Sequence, residues 1–176
     1  MPILNKYGFP KIFSLKRKIY NLIELKNKSK SNVYPYAQLF NGALISNKAL
    51  RKVINVDKRY YIFGEEVDYY WNLKKKGNVG TLLNAIHFHP NVNKRKYTDI
   101  KVYYYLKNSI INNYKHLNSP FIRSLSNILI LLIRIYRRNG FNFTKSYIFG
   151  KNKNFFYKSL YRGFKKKLEI DHHELF

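Results

Sequence analysis

Residues Asn41 to Pro90 read NGALISNKALRKVINVDKRYYIFGEEVDYYWNLKKKGNVGTLLNAIHFHP, and Gly64-Glu65-Glu66-Val67-Asp68 stands at their centre. The chain sets 34 Lys and Arg against nine Asp and Glu, and three of the nine acids fall in this one short run. Carboxylates gathered in so basic a chain can hold a general base or a metal ion. The plainer reading is a helix start. Acids in a first turn complement the helix dipole, and Lys74-Lys75-Lys76-Gly77 supplies a basic last turn and a stop. The two readings are compatible, because a loop-to-helix junction can present a carboxylate on a rigid base. The spacing predicts a helix from about Glu65 to Lys76, with Val67, Tyr70 and Trp71 on its core side.

On the N-terminal side, Ser46 suits the N-cap of a short helix carrying Leu50, Val53 and Ile54. Tyr60 to Phe63 is an aromatic and β-branched run, the composition of a strand or an extended wall. On the C-terminal side, Val79 to Leu83 and Ala85 to Phe88 read as short strand pieces. His87 and His89 alternate, so a strand would turn them to opposite faces. A lone histidine is most simply a partly buried imidazole, and His87 is read so.

The order of these pieces resembles the second half of the family 2 glycosyltransferases, inverting enzymes of the GT-A fold. The nearest likeness is to bacterial rhamnosyl- and galactofuranosyl-transferase-like members. The matching residues are Phe40-Asn41-Gly42-Ala43-Leu44-Ile45-Ser46, then Tyr61-Ile62-Phe63-Gly64-Glu65-Glu66-Val67-Asp68, then Gly77 and Phe88-His89-Pro90. Tyr103-Tyr104-Tyr105-Leu106-Lys107-Asn108 is similar to the Tyr-Tyr-x-x-Arg-Asn that often follows, so the likeness runs from Phe40 to Asn108.

The resemblance implies transfer of a sugar from a nucleotide-sugar donor to a glycan or lipid-linked acceptor in surface polysaccharide synthesis. It implies Glu66 as the base, with Glu65 as the alternative, and Asp68, Trp71, Asn41 and Gly42 on the acceptor side. Trp71 is the one tryptophan of the chain. It is most simply a core residue, with stacking on a sugar ring as the other reading. His89 would ligate a divalent Mn or Mg ion. Glu66 stands where the family usually has Asp, and Asn72 where it commonly has Arg. No Asp-x-Asp and no glycine-rich phosphate loop occurs in the chain. The expectation is therefore an acceptor-side half, inactive unless a separate polypeptide supplies the donor-binding half and its metal.

A net charge of +25 and a pI near 10.1 call for an anionic partner, either a membrane surface, a phosphorylated ligand or nucleic acid. Lys, Asn, Ile, Tyr and Phe, all abundant here, have AT-rich codons, a source of excess other than selection for a partner, so charge alone does not choose among these. Basic segments interleaved with tyrosines can bind single strands, but no helix-turn-helix, zinc-finger or RNA-binding signature accompanies them. The competing function is thus a basic, non-catalytic membrane-surface or nucleic-acid-binding protein. Without cysteine there is no disulfide framework and no thiolate metal site.

The first 40 residues hold scattered apolar positions and no apolar run of signal-peptide length. Asp99 to Leu117 reads as an amphipathic helix with Val102, Tyr105, Leu106, Ile110 and Tyr114 as its stripe. A second helix starts at Ser119 or Pro120. Its uninterrupted apolar run, Ile128 to Ile133, is far shorter than the ~20 residues that span a bilayer. It is read as a buried or an interfacial helix, with Arg134, Arg137 and Arg138 able to meet anionic headgroups. Lys151 to Lys167 reads as a further basic, aromatic helix. Asp171-His172-His173-Glu174 has the composition of a chelating tract at an unanchored terminus.

The sequence therefore predicts an α/β class, as the C-terminal portion of a GT-A fold with an incomplete sheet, followed by basic helices. The expected divisions are 1–39 as a leading segment, 40–98 as the acceptor-side half, and 99–176 as the basic helical region. The expected location is cytoplasmic, peripheral at the inner face of the cell membrane.

Overall fold

The computed structural model describes residues 1–12, 18–29, 31–85, 96–171 and 173. These residues form seven α-helices, two single 3-10 turns and one two-stranded sheet, so the architecture is mainly helical with little sheet. The chain divides into two compact units, Met1–Val56 with Glu66–Pro90, and Asp57–Glu65 with Asn91–Phe176. The leading segment thus folds with the middle of the chain, and residues 57–65 fold with the C-terminal helices.

In the first unit, α1 (Leu22–Lys28) starts at Asn21, whose side-chain oxygen accepts the Glu24 N–H at 2.7 Å. The strands β1 (Val33–Tyr34) and β2 (Thr81–Leu82) pair antiparallel, Val33 opposite Leu82 and Tyr34 opposite Thr81. Pro35 ends β1 because it has no N–H to donate to a ladder. Gly80 precedes β2 where a Cβ would lie 2.6 Å from Val33 Cγ1. The strand expected over Val79 to Leu83 is thus two residues long, and most of the piece expected after Ala85 lies outside the described residues.

The short helix α2 (Asn47–Leu50) is capped by Ser46, whose hydroxyl accepts the Ala49 N–H at 3.2 Å. Helix α3 (Glu65–Lys74) belongs to this unit from Glu66 onward and buries Asp68, Tyr69, Tyr70, Trp71 and Leu73. It stops at Lys74, two residues earlier than predicted, and the turn closes when Lys76 and Gly77 N–H groups donate to the Leu73 carbonyl. Ile19, Leu25, Tyr34 and Leu83 form a small core beneath the sheet.

The second unit is built on α4 (Asp99–His116), which packs against α5 (Pro120–Asn139) and α7 (Lys153–Phe164), with α6 (Phe141–Ile148) packed on both of those. Thr98 caps α4 through its hydroxyl and the Lys101 N–H. The predicted stripe residues Val102, Leu106 and Ile110 are fully buried with Tyr103, Tyr104, Leu131, Ile135 and Tyr147. Burying each such aliphatic side chain contributes about 1.5–3 kcal/mol. Pro120 opens α5 as expected, and the Arg123 guanidinium donates to the Asn118 carbonyl at 2.8 Å beneath that turn. Helix α6 was not predicted. Gly140 at φ +86° breaks the path between α5 and α6.

After α7 the chain turns at Lys166, φ +56°, and runs back to α4. Asp171, expected in a frayed terminus, is 1% exposed. Its carboxylate accepts from Lys107 Nζ at 2.9 Å, Tyr103 Oη at 2.7 Å and Tyr104 Oη at 3.3 Å, and pairs with the Arg162 guanidinium. Lys107, fully enclosed, also donates to the Glu169 carbonyl at 2.7 Å. A buried lysine is tolerated because it is paired and hydrogen-bonded on two sides.

Candidate functional site

Two asparagines of α4, four residues apart on one face, hold the loop that leads into the carboxylate cluster. The Asn108 amide nitrogen donates to the carbonyls of Tyr60, Ile62 and Phe63 at 3.0, 3.1 and 2.7 Å. The Asn112 amide donates to the Gly64 carbonyl at 2.9 Å, and its oxygen accepts the Tyr60 hydroxyl at 2.5 Å. Residues expected as a strand or extended wall are instead a 3-10 turn, Lys58–Tyr60, followed by this loop. The two N–H groups of the Asn108 amide are shared among these three carbonyls, which turns them to α4 instead of to a neighbouring strand.

The loop is strained. Tyr61 and Phe63 sit at φ +48° and +60°, where an L side chain crowds its own backbone at a cost of about 1–2 kcal/mol each. Ring contacts offset part of that cost, Tyr61 against Tyr104 and Phe63 edge-on to Tyr105, with centroids 5.1 and 5.9 Å apart. Gly64, at φ +96°, lies where a Cβ would come within 2.8 Å of Asn108 Cβ and 2.9 Å of the Tyr60 ring. Four buried side-chain oxygens of this unit have no hydrogen-bond partner among the described residues, and two of them, Glu65 Oε2 and Asn108 Oδ1, belong to this loop and its clamp. Buried acceptors are nearly always paired, so each such oxygen asks for a donor.

The other site residues named from the sequence lie in the first unit. Glu66 accepts the Phe40 N–H at 3.4 Å, a long contact. The Tyr36 phenol is pushed up to about 12, by burial first and the Glu66 charge second. Asp68 is buried, and its carboxylate accepts the Asn72 amide at 3.0 Å, one turn along the same helix. Trp71 is 7% exposed and packs against Phe9 and Tyr70, at 5.4 and 5.1 Å between centroids. Its ring is engaged in the core. Asn41 ends a 3-10 turn and Gly42 follows it at φ +103°. Gly42 and Ser46 are among the residues that line a cavity of about 800 Å³, together with Leu73, Val79 and Leu83.

His89, the expected metal ligand, lies outside the described residues, as does His87. Among the described residues no three His, Asp or Glu side chains gather as a metal would need. Asp68 is turned into the core and engaged by Asn72, so the described donor set does not fit a Mn or Mg ion.

Sequence reasoning singled out Asn108 only as part of a motif and passed over Asn112. The available signal was two asparagines at i and i+4 beside the apolar stripe of α4, a place where solvent-seeking side chains are rare unless they hold backbone. Comparison with protein-family models, with curated proteins and with solved structures gives no match.

Proposed function

We propose that this chain provides the acceptor side of an inverting sugar transfer, as in the GT-A glycosyltransferases of family 2 that its sequence resembles. The observation that carries the reading is the Asn108 clamp. Tyr61-Ile62-Phe63-Gly64-Glu65 and Tyr103 to Asn108 are distant in sequence, yet one side chain of the second motif fastens the loop of the first. Strained backbone over-determined by its surroundings clusters at active sites, and here it ends on a carboxylate with a buried oxygen that has no partner among the described residues.

In this reading the carboxylate takes the proton of an acceptor hydroxyl. The acceptor oxygen forms its bond to the anomeric carbon of the donor sugar. The bond from that carbon to the diphosphate breaks on the opposite face, and the nucleoside diphosphate leaves with the electron pair. Glu65 takes the role of base ahead of Glu66, because Glu66 already receives the Phe40 N–H. A separate polypeptide binds the nucleotide sugar, and the acceptor is a glycan or a lipid-linked saccharide at the inner face of the cell membrane.

The test is transfer of labelled sugar from nucleotide sugars to lipid-linked acceptors, by the full chain with and without a donor-binding polypeptide. Glu65→Gln is expected to lower kcat about a hundredfold or more while KM stays near the wild-type value. Unchanged transfer by both Glu65→Gln and Glu66→Gln would remove the carboxylates from the mechanism. Transfer by the chain alone would overturn the divided site.

A further inference from the structure

Helix α5 has two apolar faces and covers only one of them. Leu131 and Ile135 are fully buried. On another side Ile122, Leu125, Leu129, Ile133 and Tyr136 are 45, 43, 60, 52 and 56% exposed. They recur at intervals of three and four residues. At 3.6 residues per turn they fall within an arc of about 80° and run roughly 21 Å along the helix. Phe121 and Phe141, 56 and 64% exposed, stand beyond its two ends. A contiguous large-residue stripe of this kind marks an interaction surface, whereas single exposed apolar residues need no explanation.

Charge selects the partner. Helix α5 holds no acid in Pro120–Asn139, and of its four arginines Arg123 is buried against Asn118 and Arg134 donates to the Tyr105 hydroxyl. Arg137 is exposed where the stripe ends, and Lys145 is exposed on α6. A second copy would bring another +25 charges against the first, and an acid-free helix has nothing with which to pair them. An anionic lipid surface takes up both the apolar stripe and the positive charge, the two signals that together give stable interfacial attachment. No described helix is long and apolar enough to cross a membrane. The geometry is therefore that of a helix lying in the surface.

We infer that α5 docks this face into the boundary between headgroups and acyl chains of an anionic bilayer, with Leu125, Leu129 and Ile133 inserted and Arg137 at headgroup level. The inference deepens the reading above by naming the surface that would hold the chain beside a lipid-linked acceptor, and rests on that reading only for which membrane is met. Its test needs no sugar, so the two can fail separately.

The full chain is floated with vesicles of phosphatidylcholine, with and without phosphatidylglycerol. Wild-type protein is expected on the phosphatidylglycerol vesicles, with affinity reduced but not abolished by salt. The Leu129→Glu/Ile133→Glu variant is expected to bind at least about tenfold more weakly, since it loses two inserted aliphatic side chains. Circular dichroism checks that its helices persist, as both positions are already exposed. Equal binding by that variant overturns the inference. So does a Leu129→Trp variant on the vesicles whose added emission escapes quenching by acyl-chain spin labels. A dimer that this double substitution dissolves, with no vesicle binding by the wild type, would give the face to a second copy instead.

Discussion

Asp171→Asn is expected to cost the protein about 3–5 kcal/mol, the range for removing one partner of a buried ion pair. The Lys107 side chain is fully enclosed and that of Asp171 is 2% exposed, so solvent screens this pair very little. The amide keeps the shape of the carboxylate but loses its charge. It removes the anion that both the Lys107 ammonium and the largely buried Arg162 guanidinium engage. Against a typical total of about 5–15 kcal/mol, that is a large share. Lys107→Met combined with Asp171→Asn is expected to recover part of the loss, because one of the two cations that the carboxylate engages goes with it. Urea denaturation of the wild type, the two single variants and the double variant measures the coupling. A loss below about 1 kcal/mol for Asp171→Asn, the scale of a surface pair, would mean that the carboxylate is not enclosed in solution.

Gly64→Ala is expected to destabilise by about 2–5 kcal/mol, and the reason can be separated into two parts by a second glycine. At φ +96° an alanine meets the backbone cost of a left-handed conformation, about 1–2 kcal/mol. Its Cβ also enters space held by Asn108 Cβ and the Tyr60 ring, an overpacking cost of roughly 1–3 kcal/mol. Gly42, at φ +103°, has nothing within 4 Å of the same added atom, so Gly42→Ala should carry the backbone part alone. The measurement is the difference in urea midpoint between the two variants. Equal effects would show that α4 does not press on the loop. Under the proposed function, a large effect at Gly64 should be accompanied by loss of transfer, since Gly64 adjoins Glu65.

What the sequence disclosed was local. The starts of α4 and α5 were legible at Asp99 and at Ser119 or Pro120, and the buried stripe of α4 in Val102, Leu106 and Ile110, because helix-start signals and helical spacing act within a few residues. Trp71 could be weighed as core on the same grounds. The path of Tyr61 to Phe63 could not. Its β-branched and aromatic composition suits a strand, and what overrides it is an amide more than 40 positions away. The enclosure of Asp171 was equally hidden, since a terminal acid beside two histidines has no local feature that points to Lys107. Helix α6 escaped because eight residues between glycine-bounded turns are too few to display a period. The carboxylates themselves were found by scarcity, and their surroundings only by folding.

The enclosure of Lys107 also has a consequence in time. Its carboxylate partner follows it by 64 positions, which at about 5–20 residues per second is roughly 3–13 s of synthesis. Throughout that interval Tyr103, Tyr104 and Lys107 have emerged without the group that neutralises their pocket. The second unit therefore completes itself only when its last segment arrives, and a nascent chain paused before Asp171 should present α4 to chaperones and proteases in a form the finished protein never shows.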